Sequence, residues 1–158
     1  MDYAGFWIRF VAYIIDYVVM MIFQFIVFAI VGVSAFGATS LDPAAGDVFA
    51  TTVGVIAYLV IVLAGVAYFV IMESSSKQAT IGKMALGLIV TDENGGRITW
   101  LRALGRYFAK ILSALIMLIG YIMIGFTEEK TGLHDIICTT RVVKGKPGEV
   151  GVDLSVFE

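Results

Sequence analysis

Two runs of 25 residues, Tyr17–Leu41 and Val48–Met72, contain no Asp, Glu, Lys or Arg. At 1.5 Å per residue each would form a helix about 37 Å long, enough to cross a hydrocarbon core of about 30 Å. Soluble domains hold roughly 45–50% apolar residues, whereas this chain of 158 residues holds 59%. It reads as an all-α integral membrane protein, a single domain by size. Long transmembrane helices are expected at about 6–33 and 48–72, with a third, short or re-entrant apolar helical segment at about 103–127. A small cytoplasmic β-hairpin is expected at about 86–100. Residues 1–144 would form the membrane domain and 145–158 a flexible C-terminal tail.

Other classes are disfavoured by composition. A net charge of −2 gives no footprint for nucleic acid. The single Cys138 excludes an intrachain disulfide and reads as a small buried apolar residue. His134 is the single histidine, and with Cys138 four residues on as the one cysteine it makes a poor metal site. Phosphate-loop, nucleophile-elbow and dinucleotide fingerprints do not occur. The expectation is a protein that is not an enzyme and carries no cofactor or metal. The first apolar run is longer than a signal-peptide core of about 7–15 residues and follows a carboxylate, so no cleavage is expected.

The charge distribution orients the chain. Glu73 to Lys110 holds six of the eleven Lys and Arg, while Ser34–Asp47 holds two aspartates and no basic residue. The positive-inside rule puts the former in the cytoplasm and the latter outside as a short loop, with the N-terminus cytoplasmic. A prokaryotic inner membrane is the expected location. Within the basic stretch, Asn94-Gly95 predicts a two-residue type I′ turn, which would set Asp92 across from Arg97. Thr139–Val143 is β-branched and could add a third strand.

The third apolar segment allows two readings. Ile111 to Thr127 is 17 charge-free residues, at the lower limit for a span, and Arg102, Arg106 and Lys110 precede it on one helical face. A full crossing would carry Lys130, Arg141, Lys144 and Lys146 outside, against the charge rule. A re-entrant path turning near Gly120 keeps them cytoplasmic and is the expectation, provided its broken backbone is buried in protein or faces water.

Asp16 is the residue that most needs an explanation. A carboxylate at a transmembrane helix centre costs about 2.5–3.5 kcal/mol on insertion scales and usually faces a partner or a wet cavity. Arg9, Tyr13, Asp16, Met20 and Gln24 fall on one stripe of the first helix. Ala50, Gly54, Ala57, Ile61, Ala64 and Tyr68 form a small-residue stripe on the second. Such a polar stripe is either glue between helices or a site for a proton or cation. Arg9 is the expected counter-charge of Asp16, with Asp135 holding Arg9 in place. His134-Asp135 lies just past the third apolar segment, where His134 could titrate near physiological pH.

These residues together resemble the RDD family of small membrane proteins, named for one arginine and two aspartates. The resemblance runs from about Phe6 to Val143. Its opening motif, Arg-x-x-Ala with Asp four residues on, matches Arg9, Ala12 and Asp16. The central motif is similar to Gly82–Gly96, and the closing His-Asp and Thr-x-Val-Val match His134, Asp135 and Thr140 to Val143. One departure is Cys138-Thr139, where the family usually has Ala-Gly. The resemblance implies an ion-binding or structural polar cluster of Arg9, Asp16 and Asp135, and Tyr13 and Gln24 on the stripe and His134 beside Asp135 are expected to support it. The resemblance also implies a transport role, with cation/proton exchange among the proposed activities. An assembly or scaffold role fits equally well. Expected partners are the lipid bilayer, monovalent cations and protons, and further copies of the chain or another membrane protein, since two or three helices cannot enclose a pathway alone.

Overall fold

A computed structural model describes residues 2–115, 123–125, 127 and 129–148. Among them lie α1 (Phe6–Leu41), α2 (Pro43–Ser74), α3 (Ile81–Ala85), β1 (Leu88–Asp92), α4 (Trp100–Leu115), a 3-10 turn (Met123–Gly125), α5 (Leu133–Ile137) and β2 (Thr140–Lys144). The chain divides into two compact units, one of Tyr17–Ala67 and one of Met1–Asp16 with Tyr68–Glu158.

The first unit is helical. Both long helices outlast the expected spans, and the loop expected over Ser34–Asp47 is almost wholly helical. The only break is Asp42. Pro43 occupies the first helical position of α2, where its missing N–H costs nothing. The Asp42 carboxylate accepts from Ala44 N at 3.0 Å and Ala45 N at 3.3 Å, as an N-cap does. The turn is tight enough to require glycine at 46, since a Cβ there would lie 2.4 Å from Thr39 Cα. The apolar runs are long enough and apolar enough to cross a membrane, with mean hydropathies of 2.5 and 2.7. Their large side chains, among them Phe25, Ile30, Val33 and Leu63, are exposed. In water that surface would be untenable, and in lipid it is what a span presents.

The second unit is built on an antiparallel pair. β1 runs against β2 with Leu88 opposite Lys144 and Asp92 opposite Thr140. The expected strand at Thr139–Val143 therefore exists, but it pairs with β1 directly. On its other side the N-terminal arm adds a bridge, Tyr3 opposite Val143, with Ala4 N donating to Val142 O and Lys144 N to Asp2 O, each at 2.9 Å. The hairpin is reduced to one bridge, Thr91 opposite Arg97. Asn94 lacks the positive φ of a type I′ turn, and Asp92 does not face Arg97. Instead the Asp92 carboxylate folds back to accept from Asn94 N at 3.0 Å and Gly96 N at 2.7 Å. This local carboxylate-to-backbone bonding displaces the expected turn.

α4 inverts the pattern of a soluble helix. Ala103, Arg106, Ala109 and Ser113 are buried, while Trp100, Leu101, Phe108, Ile111 and Leu112 are exposed. The polar face points into the protein and the apolar face out, which suits a helix against lipid. The Gly120 turn of the re-entrant path lies outside the described residues, as does most of the tail.

Thr139 sits at φ 53°, in the left-handed region, between α5 and β2. The RDD resemblance places glycine there, and a β-branched residue in that conformation costs about 1–2 kcal/mol. Thr139→Gly should therefore raise stability by about 1 kcal/mol, offset in part by the looser unfolded chain. Thermal unfolding in detergent micelles checks this, and an unchanged or lower midpoint would show the strain to be absent.

Candidate functional site

Asp16 is 1% exposed and is met by three donors. Tyr68 Oη donates to Oδ1 at 2.7 Å, Gly82 N to Oδ1 at 2.7 Å and Thr80 Oγ1 to Oδ2 at 2.6 Å. Tyr68 Oη in turn accepts from Ile81 N at 3.0 Å, which directs its own proton to the carboxylate. All three donors are neutral. They come from α2 and from the start of α3, which lies so close to α1 that a Cβ on Gly82 would sit 2.1 Å from Ala12 O. The small Ala12, 1% exposed, is what permits that approach.

Arg9 does not compensate Asp16. Its guanidinium forms an ion pair with Asp135 Oδ2 and donates from Nε to Ala4 O at 2.9 Å. Asp135 is fully buried and also pairs through Oδ1 with Arg106 Nη2 at 2.7 Å. Its Oδ2 accepts from Gly132 N at 3.2 Å, capping α5. Burial opposes ionisation of Asp135, but Arg106 and Arg9 overcome it and hold the carboxyl well below the usual range. Burial pushes the neighbouring His134 imidazole down to about 3 against the pull of Asp135, so it is neutral near pH 7 rather than a switch there.

A third carboxylate, which sequence reasoning missed, completes the cluster. Glu73, at the end of α2, is 1% exposed. Lys83 Nζ lies 2.6 Å and Lys110 Nζ 3.0 Å from its Oε1, and Arg106 Nη1 lies 3.6 Å from its Oε2. Arg106 thus stands between Glu73 and Asp135. Burial pushes the Lys83 ammonium down to about 7, although Glu73 pulls it upward. The sequence held one signal of this: three cations on one face of an otherwise apolar helix need a buried anion. Of the acids between Glu73 and Lys110, only Glu73 adjoins an apolar span.

A cavity of about 500 Å³ runs along this cluster, lined by Arg9, Asp16, Lys83, Arg106, Lys110 and His134 among its polar side chains. Aromatic and aliphatic residues form the rest of its wall. Tyr13 lines it too, although the residue is 58% exposed. Gln24 is exposed and takes no part, so the polar stripe of α1 turns inward only at Arg9 and Asp16. On α2 the small-residue stripe does mark the less exposed face, with Ala57 buried and Tyr68 reaching Asp16. Among the described residues no group of three or more His, Cys, Asp or Glu is placed to hold a metal ion.

Two long apolar helices, with buried carboxylates held by arginine and by neutral donors, define a small integral membrane protein with a polar site. The chain belongs to the RDD family, whose model matches residues 3–139. It is 42% identical to the uncharacterized protein YxaI of Bacillus subtilis (strain 168) over 146 residues, covering 89% of this chain and 96% of that protein. It is 32% identical to the uncharacterized membrane protein YteJ of the same organism over 151 residues, covering 91% of this chain and 82% of that one. No solved structure matches the chain.

Proposed function

We propose that this protein is a membrane transporter that exchanges a monovalent cation for a proton, with Lys83 rather than Asp16 carrying the proton. The observation that carries this reading is the cavity, which reaches both Asp16 and Lys83. Asp16 already takes three neutral donors. An entering cation has to displace a charge already present, and Lys83 is the one most readily withdrawn. When its ammonium releases a proton, Glu73 Oε1 loses a partner at 2.6 Å and the site loses one positive charge. A monovalent cation that takes the place of the lost ammonium charge beside Lys83, on the cavity wall, restores the balance, one for one. The exchanger would work as an oligomer, because a single copy has too few helices to enclose a path.

The same reading places both termini and the β1–β2 pair in the cytoplasm. Arg106 before the third apolar segment meets Asp135 after it, which supports a path that enters and returns on one side.

A scaffold reading also has an observation in its favour. The Arg9–Asp135–Arg106 pairing ties α1, α4 and α5 together, as a purely architectural clamp would.

Flux in proteoliposomes separates the two. Lys83→Arg keeps a cation that does not titrate. Folded Lys83→Arg protein should lose at least about tenfold in cation-driven proton flux, the equivalent of about 1.4 kcal/mol. Wild-type flux in that variant would remove Lys83 from the mechanism. Absence of flux in the wild type under sodium or potassium gradients would favour the scaffold.

A further inference from the structure

We infer that the cavity also binds an anionic amphiphile, its charged group against Arg9, Lys83, Arg106 and Lys110 and its apolar part along the aromatic wall. The charge on the cavity surface is one-sided. Those four basic residues line it, and among the described residues Asp16 is the only carboxylate that does. Glu73 and Asp135 pair with the same cations without lining the cavity. Among the described residues, the four cations exceed the three carboxylates by one while Lys83 is protonated and His134 neutral. A buried excess charge in a low-dielectric site attracts a counter-ion strongly.

Size and wall chemistry narrow the ligand. A bare ion with a few waters would leave most of a volume of about 500 Å³ empty, since a water takes about 30 Å³. That volume lies in the range of organic ligand sites, roughly 300–1,000 Å³. Phe6, Phe10, Phe69, Tyr107 and Ile111 supply apolar wall. Two of these belong to α4, with Ile111 at the edge of the outward apolar face that Trp100, Leu101 and Phe108 present as a lipid-facing helix does. Lys110, on the same helix, is the most accessible of the cluster's cations, its side chain 21% exposed against 9–10% for Arg9 and Lys83 and 2% for Arg106. A ligand entering along α4 from the bilayer interface would meet Lys110 first. Anionic lipid headgroups are taken up by basic pockets of this kind at membrane helices. This inference concerns equilibrium binding and stands whether or not the protein transports ions.

Purified full-length protein in neutral detergent micelles is titrated with fluorescent dioleoyl phosphatidylglycerol and with the phosphatidylcholine of the same chains. Inorganic phosphate serves as competitor. The phosphatidylglycerol probe should bind at least about tenfold more tightly, and Lys110→Gln should erase most of that preference. Lys77→Gln removes an equal charge from an exposed position and should leave the preference intact. Weak competition by millimolar phosphate would show that the apolar part contributes, as the wall requires. Displacement by phosphate at the concentration of the lipid would reduce the site to one for a free anion and overturn the amphiphile. Equal affinity for the two lipids, or equal losses in the two lysine variants, would also overturn it.

Discussion

Glu73→Gln should be among the most damaging single substitutions in the molecule, costing about 3–5 kcal/mol. The carboxylate is 1% exposed and serves Lys83, Lys110 and Arg106 together. Glutamine keeps the shape but withdraws the Glu73 charge from Lys83, Lys110 and Arg106, of which Arg106 keeps Asp135, and breaking a buried pair by removing one partner costs that much. Against a typical total of about 5–15 kcal/mol, much of the folded population would be lost. The double variant Glu73→Gln with Lys83→Met removes the cation nearest to Glu73 as well and should recover part of the loss. Unfolding of the three proteins by denaturing detergent measures the coupling. A double variant no more stable than Glu73→Gln alone would show that the ion pair is not what holds α2 and α3 together.

Gly82→Ala should cost about 3 kcal/mol or more through a different cause. The new methyl would lie 2.1 Å from Ala12 O, and a backbone oxygen in the middle of a helix cannot retreat. α3 has to move, which stretches the Gly82 N–Asp16 contact of 2.7 Å and leaves the buried carboxylate short of a donor. Gly32→Ala, where the methyl meets nothing within 4 Å, is the control and should be neutral or slightly stabilising. Matching thermal midpoints for the two variants would contradict the close approach of α3 to α1.

The long helices were legible because an uninterrupted apolar run leaves few alternatives. Their ends were not, since Ser, Thr, Gly and Ala over 34–47 suit a loop in composition yet carry a helix once Asp42 and Pro43 start α2. The β pairing of Thr140–Lys144 with Leu88–Asp92 joins segments far apart in sequence, and only its strand character was local. The polar cluster was half visible. Asp16 stood out as a lone membrane carboxylate, but its partners Thr80 and Gly82 are ordinary loop-type residues whose importance comes from tertiary approach. Arg9 lies on the stripe of Asp16, and that adjacency suggested a pairing which the ion pair to Asp135 overrides. Glu73 was hidden because it begins a polar stretch and resembles a solvated helix end.

The exchange account rests on Lys83 giving up its proton when a cation arrives. Its side-chain resonances, followed by lysine-selective carbon and nitrogen labelling in folded protein, report that titration directly. The account predicts an apparent pKa near 7, falling by about one unit for each tenfold rise in cation above its dissociation constant, because proton and cation compete for one place. A lysine that titrates near its ordinary value of 10.5, or whose titration ignores sodium and potassium alike, would contradict it.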